Sequence, residues 1–119
     1  MTLTKAQIEY LEKAPNWDDE QIKHLQDPEY QRGWLELTLS EFLEDGNVET
    51  FIRCLTYVVK ARVKSSGRGE ISRLARRLNI DRSNLSEIVN GEKQPRLETA
   101  FKLLNGLGYK YDIKLESVS

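Results

Sequence analysis

The sequence predicts a mostly α-helical protein with one β-strand near its C-terminus. Apolar residues recur at steps of three and four along most of the 119-residue chain, which is the period of a helix buried on one face. Several of these runs are bracketed by capping and stop residues. After Gly108 the period changes to strict alternation, which is typical of a strand. The length allows one domain, or one small domain with an arm.

Three helices are predicted in the N-terminal part of the chain. A capping-box spacing begins a helix over residues 4–13, and a weaker helical stretch covers 18–26. Asp27 and Pro28 form a stronger signal, a capping carboxylate followed by proline at the first helical position, and the helix that they start ends at Gly46. Its inward stripe is predicted to comprise Tyr30, Trp34, Leu35, Leu39, Phe42 and Leu43.

The remaining helices are predicted on either side of a glycine- and serine-rich break. Asn47 is placed to cap a fourth helix over 48–64, and residues 65–69 are expected to interrupt the helical structure. Gly108 fits the left-handed position that closes the last helix. The three short helices between the break and this glycine are predicted at 70–78, 82–89 and 96–107.

A half-buried strand is predicted over residues 109–115. Its apolar positions, Tyr109, Tyr111, Ile113 and Leu115, alternate with polar ones. We find no second strand in the sequence, and a lone strand leaves its backbone groups unpaired. Unless the segment is disordered, we therefore expect a homodimer in which two copies of this strand pair, or alternatively a strand that extends the sheet of another protein.

Charge divides the chain into two contrasting parts. Residues 1–50 hold 4 Lys and Arg against 12 Asp and Glu, a net charge of −8, whereas residues 51–119 hold 14 against 7, a net charge of +7. Each part suits a partner of opposite charge, or the two parts attract each other. The interpretation that each part binds a partner of opposite charge, combined with the helix pattern, divides the chain into an acidic helical region (1–46) and a basic region (47–119).

Several functional classes have little support in the composition. With one cysteine, Cys54, and one histidine, His24, the chain lacks the residues for a disulfide, a zinc cage or a catalytic triad. We expect neither an enzyme nor a bound metal or cofactor. The sequence has no apolar run of about 20 residues and no signal-peptide core, so we expect a cytoplasmic protein without a membrane span.

Residues 71–90 have the pattern of a helix-turn-helix. Ala75 is small where two helices must cross closely, and Asn79 tolerates the left-handed backbone of the turn. Ile80 is expected to plug the turn, while Leu85 and Ile88 point into the core. Asp81, the residue just before the second helix, is expected to cap that helix.

The second helix of this motif is predicted to read DNA bases in the major groove. Its outward residues, Arg82, Ser83, Asn84 and Glu87, carry hydrogen-bonding groups suited to base edges. Between Lys60 and Arg82 there are eight basic residues and two acidic ones, which favours contact with phosphates. The predicted phosphate contacts are Ser72, Arg73, Asn90, Lys93 and Arg96.

The motif resembles that of the Xre/Cro repressors at Leu74-Ala75, in the run from Asn79 to Leu85, at Val89-Asn90-Gly91 and at Pro95. A longer match, over about residues 30–115, is similar to the HigA-like addiction-module antidote proteins. It includes the turn Leu43-Glu-Asp-Gly-Asn47, the run Val58-Val59-Lys60-Ala61-Arg62 and the ending Leu107-Gly108-Tyr109.

This resemblance implies a homodimeric antitoxin that represses its own operon by binding operator DNA. It also implies a partner, a basic toxin of the RelE type that cleaves mRNA on the ribosome and is neutralised by binding, with the acidic region 1–46 as toxin contact or dimer support. One alternative is a stand-alone Xre-type repressor. Another is a protein-interaction module that uses the helix-turn-helix as a scaffold.

Overall fold

The computed structural model describes residues 4–6, 17–67 and 69–118. Within these ranges the chain is helical, as predicted, so the mostly α-helical class is confirmed. Most of the helix predicted over 4–13 lies outside the described residues. The six helices of the described part are α1 (Trp17–His24), α2 (Pro28–Asp45), α3 (Val48–Ser66), α4 (Gly69–Leu78), α5 (Arg82–Val89) and α6 (Leu97–Gly106).

Helix α3 is the centre of the fold and packs against each of the other five helices. Because it has neighbours on all sides, its burial extends beyond a single stripe. The single cysteine, Cys54, is buried there. Eight of its residues are buried: Phe51, Ile52, Cys54, Leu55, Thr56, Val58, Val59 and Ala61.

A single hydrophobic core joins the two oppositely charged parts of the chain. Leu25 and Trp34 from the acidic part belong to the same buried cluster as Leu74, Leu85 and Leu104 from the basic part. The indole Nε1–H of Trp34 also donates to the carbonyl oxygen of Cys54 at 3.1 Å. Helices α1 and α2 therefore complete the core on which the helix-turn-helix rests.

The buried stripe of α2 differs from the predicted one. The fully buried positions are Gln31, Trp34, Leu35 and Thr38, which follow the i, i+3, i+4, i+7 rule but include two polar residues. Leu43 is 50% exposed, so its predicted place in the core is wrong. The other three predicted residues, Tyr30, Leu39 and Phe42, pack at the edge of the core.

The predicted boundaries of α2 and α3 rest on capping residues that act as expected. The Asp27 carboxylate accepts from the backbone N–H of Glu29 at 3.4 Å. Gly46 ends α2 with a left-handed backbone, φ +68°. The side-chain oxygen of Asn47 then accepts from the backbone N–H of Thr50 at 3.1 Å, which begins α3 directly after the turn.

The break between α3 and α4 is shorter than the predicted interval 65–69. Helix α3 continues to Ser66 and ends at Gly67, where φ is +88° and the N–H donates to the Val63 carbonyl at 2.8 Å. Ser65 stays within the helix, where its hydroxyl donates to the Arg62 carbonyl at 3.3 Å; this bond satisfies the serine side chain without ending the helix. Further along, α6 ends as predicted before Gly108, whose φ is +101°.

In the single chain described, residues 109–118 form no strand. Exposure rises along this segment: Tyr111 is 39% exposed, Ile113 44% and Leu115 97%. Tyr111 keeps one aromatic contact, with Phe101 of α6 at 5.0 Å between ring centroids. A ladder needs a second strand, and the residues that the structure describes do not supply one, so the paired strand remains a prediction.

Within the described ranges, none of the helices has both the length and the apolar character needed to cross a membrane.

Candidate nucleic-acid interface

The turn between α4 and α5 has the backbone that the sequence predicts. Asn79 has φ +55°, and among the residues that the structure describes it is the only one other than glycine with a positive φ. Its N–H donates to the Arg76 carbonyl at 3.2 Å, and the N–H of Ile80 donates to the Ala75 carbonyl at 3.0 Å. These bonds satisfy the end of α4 while the chain reverses, so only three residues separate the end of α4 from the start of α5.

The inner faces of α4 and α5 hold the two helices together. Leu74, Ala75, Leu85 and Ile88 are each at most 4% exposed. The methyl group of Ala75 is the smallest side chain of this set and faces the core where the two helices pack. Ile80, predicted to plug the turn, packs against the core and is partly buried.

The residues predicted to read bases lie on the outer face of α5. Arg82, Ser83 and Glu87 are exposed, and Asn84 is half-buried. Asp81 has the extended backbone of an N-cap, φ −65° and ψ 140°, but its carboxylate makes no capping hydrogen bond. The position of the cap is as predicted, whereas its predicted side-chain bond is not formed.

The loop after α5 folds back along that helix. Gly91 has φ +78°, a backbone that glycine adopts without strain. It allows the N–H groups of Glu92 and Lys93 to donate to the Glu87 carbonyl at 2.9 and 3.3 Å. The Lys93 ammonium donates to the side-chain oxygen of Asn84 at 2.7 Å. The loop thus joins a predicted phosphate contact to a predicted base reader.

The other predicted phosphate contacts differ in how accessible they are. Asn90 and Arg96 are exposed, and Arg96 is the N-cap of α6 without a capping bond from its side chain. Ser72 is half-buried. Arg73 is hydrogen-bonded to the buried carboxylate of Glu70, and this bond and charge raise the pKa of Arg73 above its ordinary value.

Not every arginine of the basic segment is available to DNA. Arg77 donates to the carbonyl oxygen of Gly106 at 2.9 Å, which anchors the end of α6 on α4. Arg62 donates to Gln31 through Nε at 3.1 Å and Nη2 at 2.7 Å. Arg76, which was not in the predicted set, is exposed and lines a groove beside Asn79 and Asn84.

A hydrogen-bond network centred on Gln31 was not predicted. Its Oε1 accepts from Arg62 and from the hydroxyl of Tyr109 at 2.9 Å, and its Nε2 donates to the carbonyl oxygen of Leu25 at 2.9 Å. The signal in the sequence is that Gln31 stands one turn before Trp34 and Leu35 on the buried face. The network connects α2 and α3 with the first residue of the C-terminal segment.

Two of the four predicted dimer residues line a shallow depression at the side of α6. Tyr111 and Ile113 line it together with Phe101, and its volume is about 350 Å³. Leu97, at the start of α6, is also 38% exposed. Tyr109 is instead partly buried and packs against the core, while Leu115 is almost fully exposed.

The acidic part presents its charge on the surface of α1 and α2. Asp19, Glu29 and Glu44 are exposed. The ion pairs among the described residues each join two residues of the same part of the chain. Hydrogen bonds do join the two parts. The hydroxyl of Tyr57 donates to the carboxylate of Asp18 at 2.5 Å, in addition to the bonds from Trp34 to Cys54 and from Arg62 and Tyr109 to Gln31.

Comparison with known proteins gives one match. Residues 69–114 match the family model described as Helix-turn-helix, and the matched segment covers α4, the turn, α5, the loop and α6. Searches of curated proteins and of solved structures found no match. The match indicates a DNA-binding transcriptional regulator and agrees with the geometry of α4 and α5.

Proposed function

Because residues 69–114 form a helix-turn-helix domain of the Xre type, we propose that this protein is a repressor that binds operator DNA through α5. The observation that carries the proposal is the exposed first turn of α5, where Arg82, Ser83 and Asn84 follow one another. In helix-turn-helix proteins the N-terminal residues of the second helix contact base edges in the major groove. The left-handed turn at Asn79 fixes the direction in which this helix leaves the core.

In this proposal, α5 supplies sequence specificity and the surrounding residues supply affinity. The guanidinium of Arg82 can donate two hydrogen bonds to a guanine, and the amide of Asn84 can form two with a purine. Asn90 and Arg96, at the start of α6, are exposed, and in this proposal they contact phosphates. Such phosphate contacts act on any sequence and weaken as salt rises.

Binding of selected and random duplexes by three variants tests this assignment. Arg82→Ala should lose about 1–3 kcal/mol on the selected site and little on random DNA. Arg96→Ala should weaken both alike and lower the salt slope by about one unit. Lys23→Ala is the matched control, because this exposed lysine lies on α1 and is not among the base-reading, phosphate or dimer residues. Equal losses on both DNAs for Arg82→Ala would show that α5 does not read bases.

We further propose that two copies of the chain associate through the C-terminal segment. The support is the alternation of apolar residues over 109–115 together with the exposure of Tyr111, Ile113 and Leu97. Pairing across a two-fold axis would cover these residues and set the two α5 helices about 34 Å apart, the spacing of successive major-groove faces.

Sizing of the purified protein tests the dimer. Tyr111→Pro removes a backbone donor and should shift the dimer toward monomer and weaken operator binding steeply. Tyr111→Phe keeps the backbone and the ring, so it is the matched control. If Tyr111→Pro stays dimeric, the two copies associate through another surface.

The acidic surface of α1 and α2 supports a proposal about a protein partner. We propose that it binds a basic toxin, as the resemblance to HigA-like antidotes implies, and that the chain is the antitoxin of a toxin–antitoxin module. Asp19, Glu29 and Glu44 are exposed and suited to a cationic partner. The stand-alone repressor is the alternative, and in it α1 and α2 only complete the core.

Co-purification with the product of the neighbouring reading frame distinguishes the two. An antitoxin should retain a basic protein of about a hundred residues, and the Glu29→Lys/Glu44→Lys variant should release it at moderate salt because rim charges are screened. Glu98→Lys, on α6, is the matched control. No retained partner, with repression intact, would favour the stand-alone repressor.

A further inference from the structure

One hydrogen bond connects the loop after α5 with the base-reading face of that helix. The Lys93 ammonium donates to Asn84 Oδ1 at 2.7 Å. Lysine has only donors, so the atom that it contacts must be the acceptor of the amide. The contact therefore fixes the orientation of Asn84: the carbonyl oxygen faces Lys93 and the NH₂ group faces away from it.

The backbone of the loop holds Lys93 in this position. The N–H of Lys93 and that of Glu92 both donate to the carbonyl oxygen of Glu87, which lies one turn after Asn84. Gly91, with its positive φ, allows the chain to return along α5. Asn84 is itself half-buried. The pair is thus arranged before any DNA is bound, and less order has to be imposed on binding.

The orientation matters because asparagine reads bases with both ends of its amide. An unconstrained asparagine pairs with adenine, accepting from N6 and donating to N7. Guanine offers two acceptors instead, O6 and N7. With Lys93 on Oδ1, the pair presents the two N–H groups of Asn84 and the remaining N–H groups of an ammonium.

Charge decides between the two purines. Oδ1 has a second lone pair, so the hydrogen bond alone does not exclude adenine. The ammonium beside Oδ1, however, places a positive charge next to the position of the purine 6-substituent. That charge repels the amino hydrogens of adenine and attracts the carbonyl oxygen of guanine.

We propose that Lys93 sets the base specificity of Asn84, so that the Lys93–Asn84 pair recognises guanine where asparagine alone would select adenine. This assigns Lys93 a role in specificity rather than the phosphate contact that the sequence predicts. The inference rests on the proposed function, because it requires α5 to lie in the major groove.

Selection from a pool of randomised duplexes tests the inference with the full-length chain. The wild type should prefer guanine by about tenfold or more at one position of the site. Lys93→Met keeps the length of the side chain without its charge and should lose that preference or reverse it toward adenine. Lys102→Met is the matched control and should select the same sites as the wild type.

A second pair of variants shows whether Lys93 acts through Asn84. Asn84→Ala should abolish the preference at that position, and adding Lys93→Met to it should change the preference no further. Lys93 is in an exposed loop, and equal melting temperatures of wild type and Lys93→Met would confirm that the fold is kept.

Two outcomes would overturn the inference, and they differ from failure of the proposed function. If Lys93→Met keeps the guanine preference while its affinity for every duplex falls and the salt slope drops by about one unit, Lys93 is a phosphate contact. If the wild type binds DNA without any base preference at this position, Asn84 is not a reader. If the wild type binds no duplex at all, the proposed function fails first.

Discussion

Replacing Gln31 with leucine tests how strongly the Gln31 network stabilises the fold. The change keeps the approximate size of a side chain that is only 5% exposed and removes all four of its hydrogen bonds. Arg62, which donates two of them, loses its acceptor. The carbonyl of Leu25 and the hydroxyl of Tyr109 lose a partner each.

The magnitude follows from the partners that are left behind. The bonds to the charged Arg62 contribute about 1.5–3 kcal/mol, and the bonds to Leu25 and Tyr109 about 1 kcal/mol each. Leucine buries two more apolar carbons than glutamine does, which offsets about 1 kcal/mol of the loss from the hydrogen bonds. We therefore expect Gln31→Leu to lower the free energy of unfolding by about 3 kcal/mol, or the melting temperature by about 12 °C.

Urea denaturation at one fixed protein concentration measures this loss, because association would make the stability concentration-dependent. Gln26→Leu makes the same chemical change at an exposed site and should stay within about 0.5 kcal/mol of the wild type. The triple variant Gln31→Leu/Arg62→Met/Tyr109→Phe also removes the guanidinium and the hydroxyl that Gln31→Leu leaves without an acceptor. It should recover part of the lost free energy of unfolding. A loss below about 1 kcal/mol for Gln31→Leu would refute the reasoning, since it would mean that an apolar contact replaces the network without penalty.

Two further predictions concern the helix-turn-helix itself. Asn79→Ala should destabilise the fold by about 1–2 kcal/mol because the backbone at this residue has φ +55°, whereas Asn79→Gly should change the stability little. Thermal melts compare the two variants, and equal effects would mean that the turn changes its backbone conformation. Leu74→Ala should lower the free energy of unfolding by about 2–5 kcal/mol because this side chain is fully buried. Leu43→Ala, at a half-exposed site of α2, should lower it much less. Urea titrations measure both losses, and similar values would contradict the assignment of the core.

The helices and their ends were largely predictable from local chemistry. Asp27, Gly46 and Asn47 act within a few residues of their own positions, so their effect can be read from sequence spacing. The turn at Asn79 was predictable for the same reason, because few residues tolerate its backbone. The end of α3 was not, because Ser65 and Ser66 continue the helix, although serine often favours turns over helix interiors.

The interior role of polar residues was the main feature that the sequence concealed. Gln31 and Thr38 are buried on α2, yet a stripe drawn from apolar residues alone passes over them and includes the exposed Leu43. Their burial depends on partners distant in sequence, as with Tyr109, 78 residues beyond Gln31. For the site, spacing predicted which side of α5 is exposed, but the pairing of Lys93 with Asn84 depends on the course of the loop.

The position of α3 at the centre of the core limits how the helix-turn-helix can be fused to another protein. The segment 69–114 that matches the family model contains α4, α5 and α6, but their buried faces rest on α3, and α3 is itself covered by α1 and α2. A chimera built from 69–114 alone would expose Leu74, Leu85 and Leu104 to solvent. A fusion that keeps this core must therefore include α1, α2 and α3 and extend to Tyr109. It would carry the acidic surface along with α5.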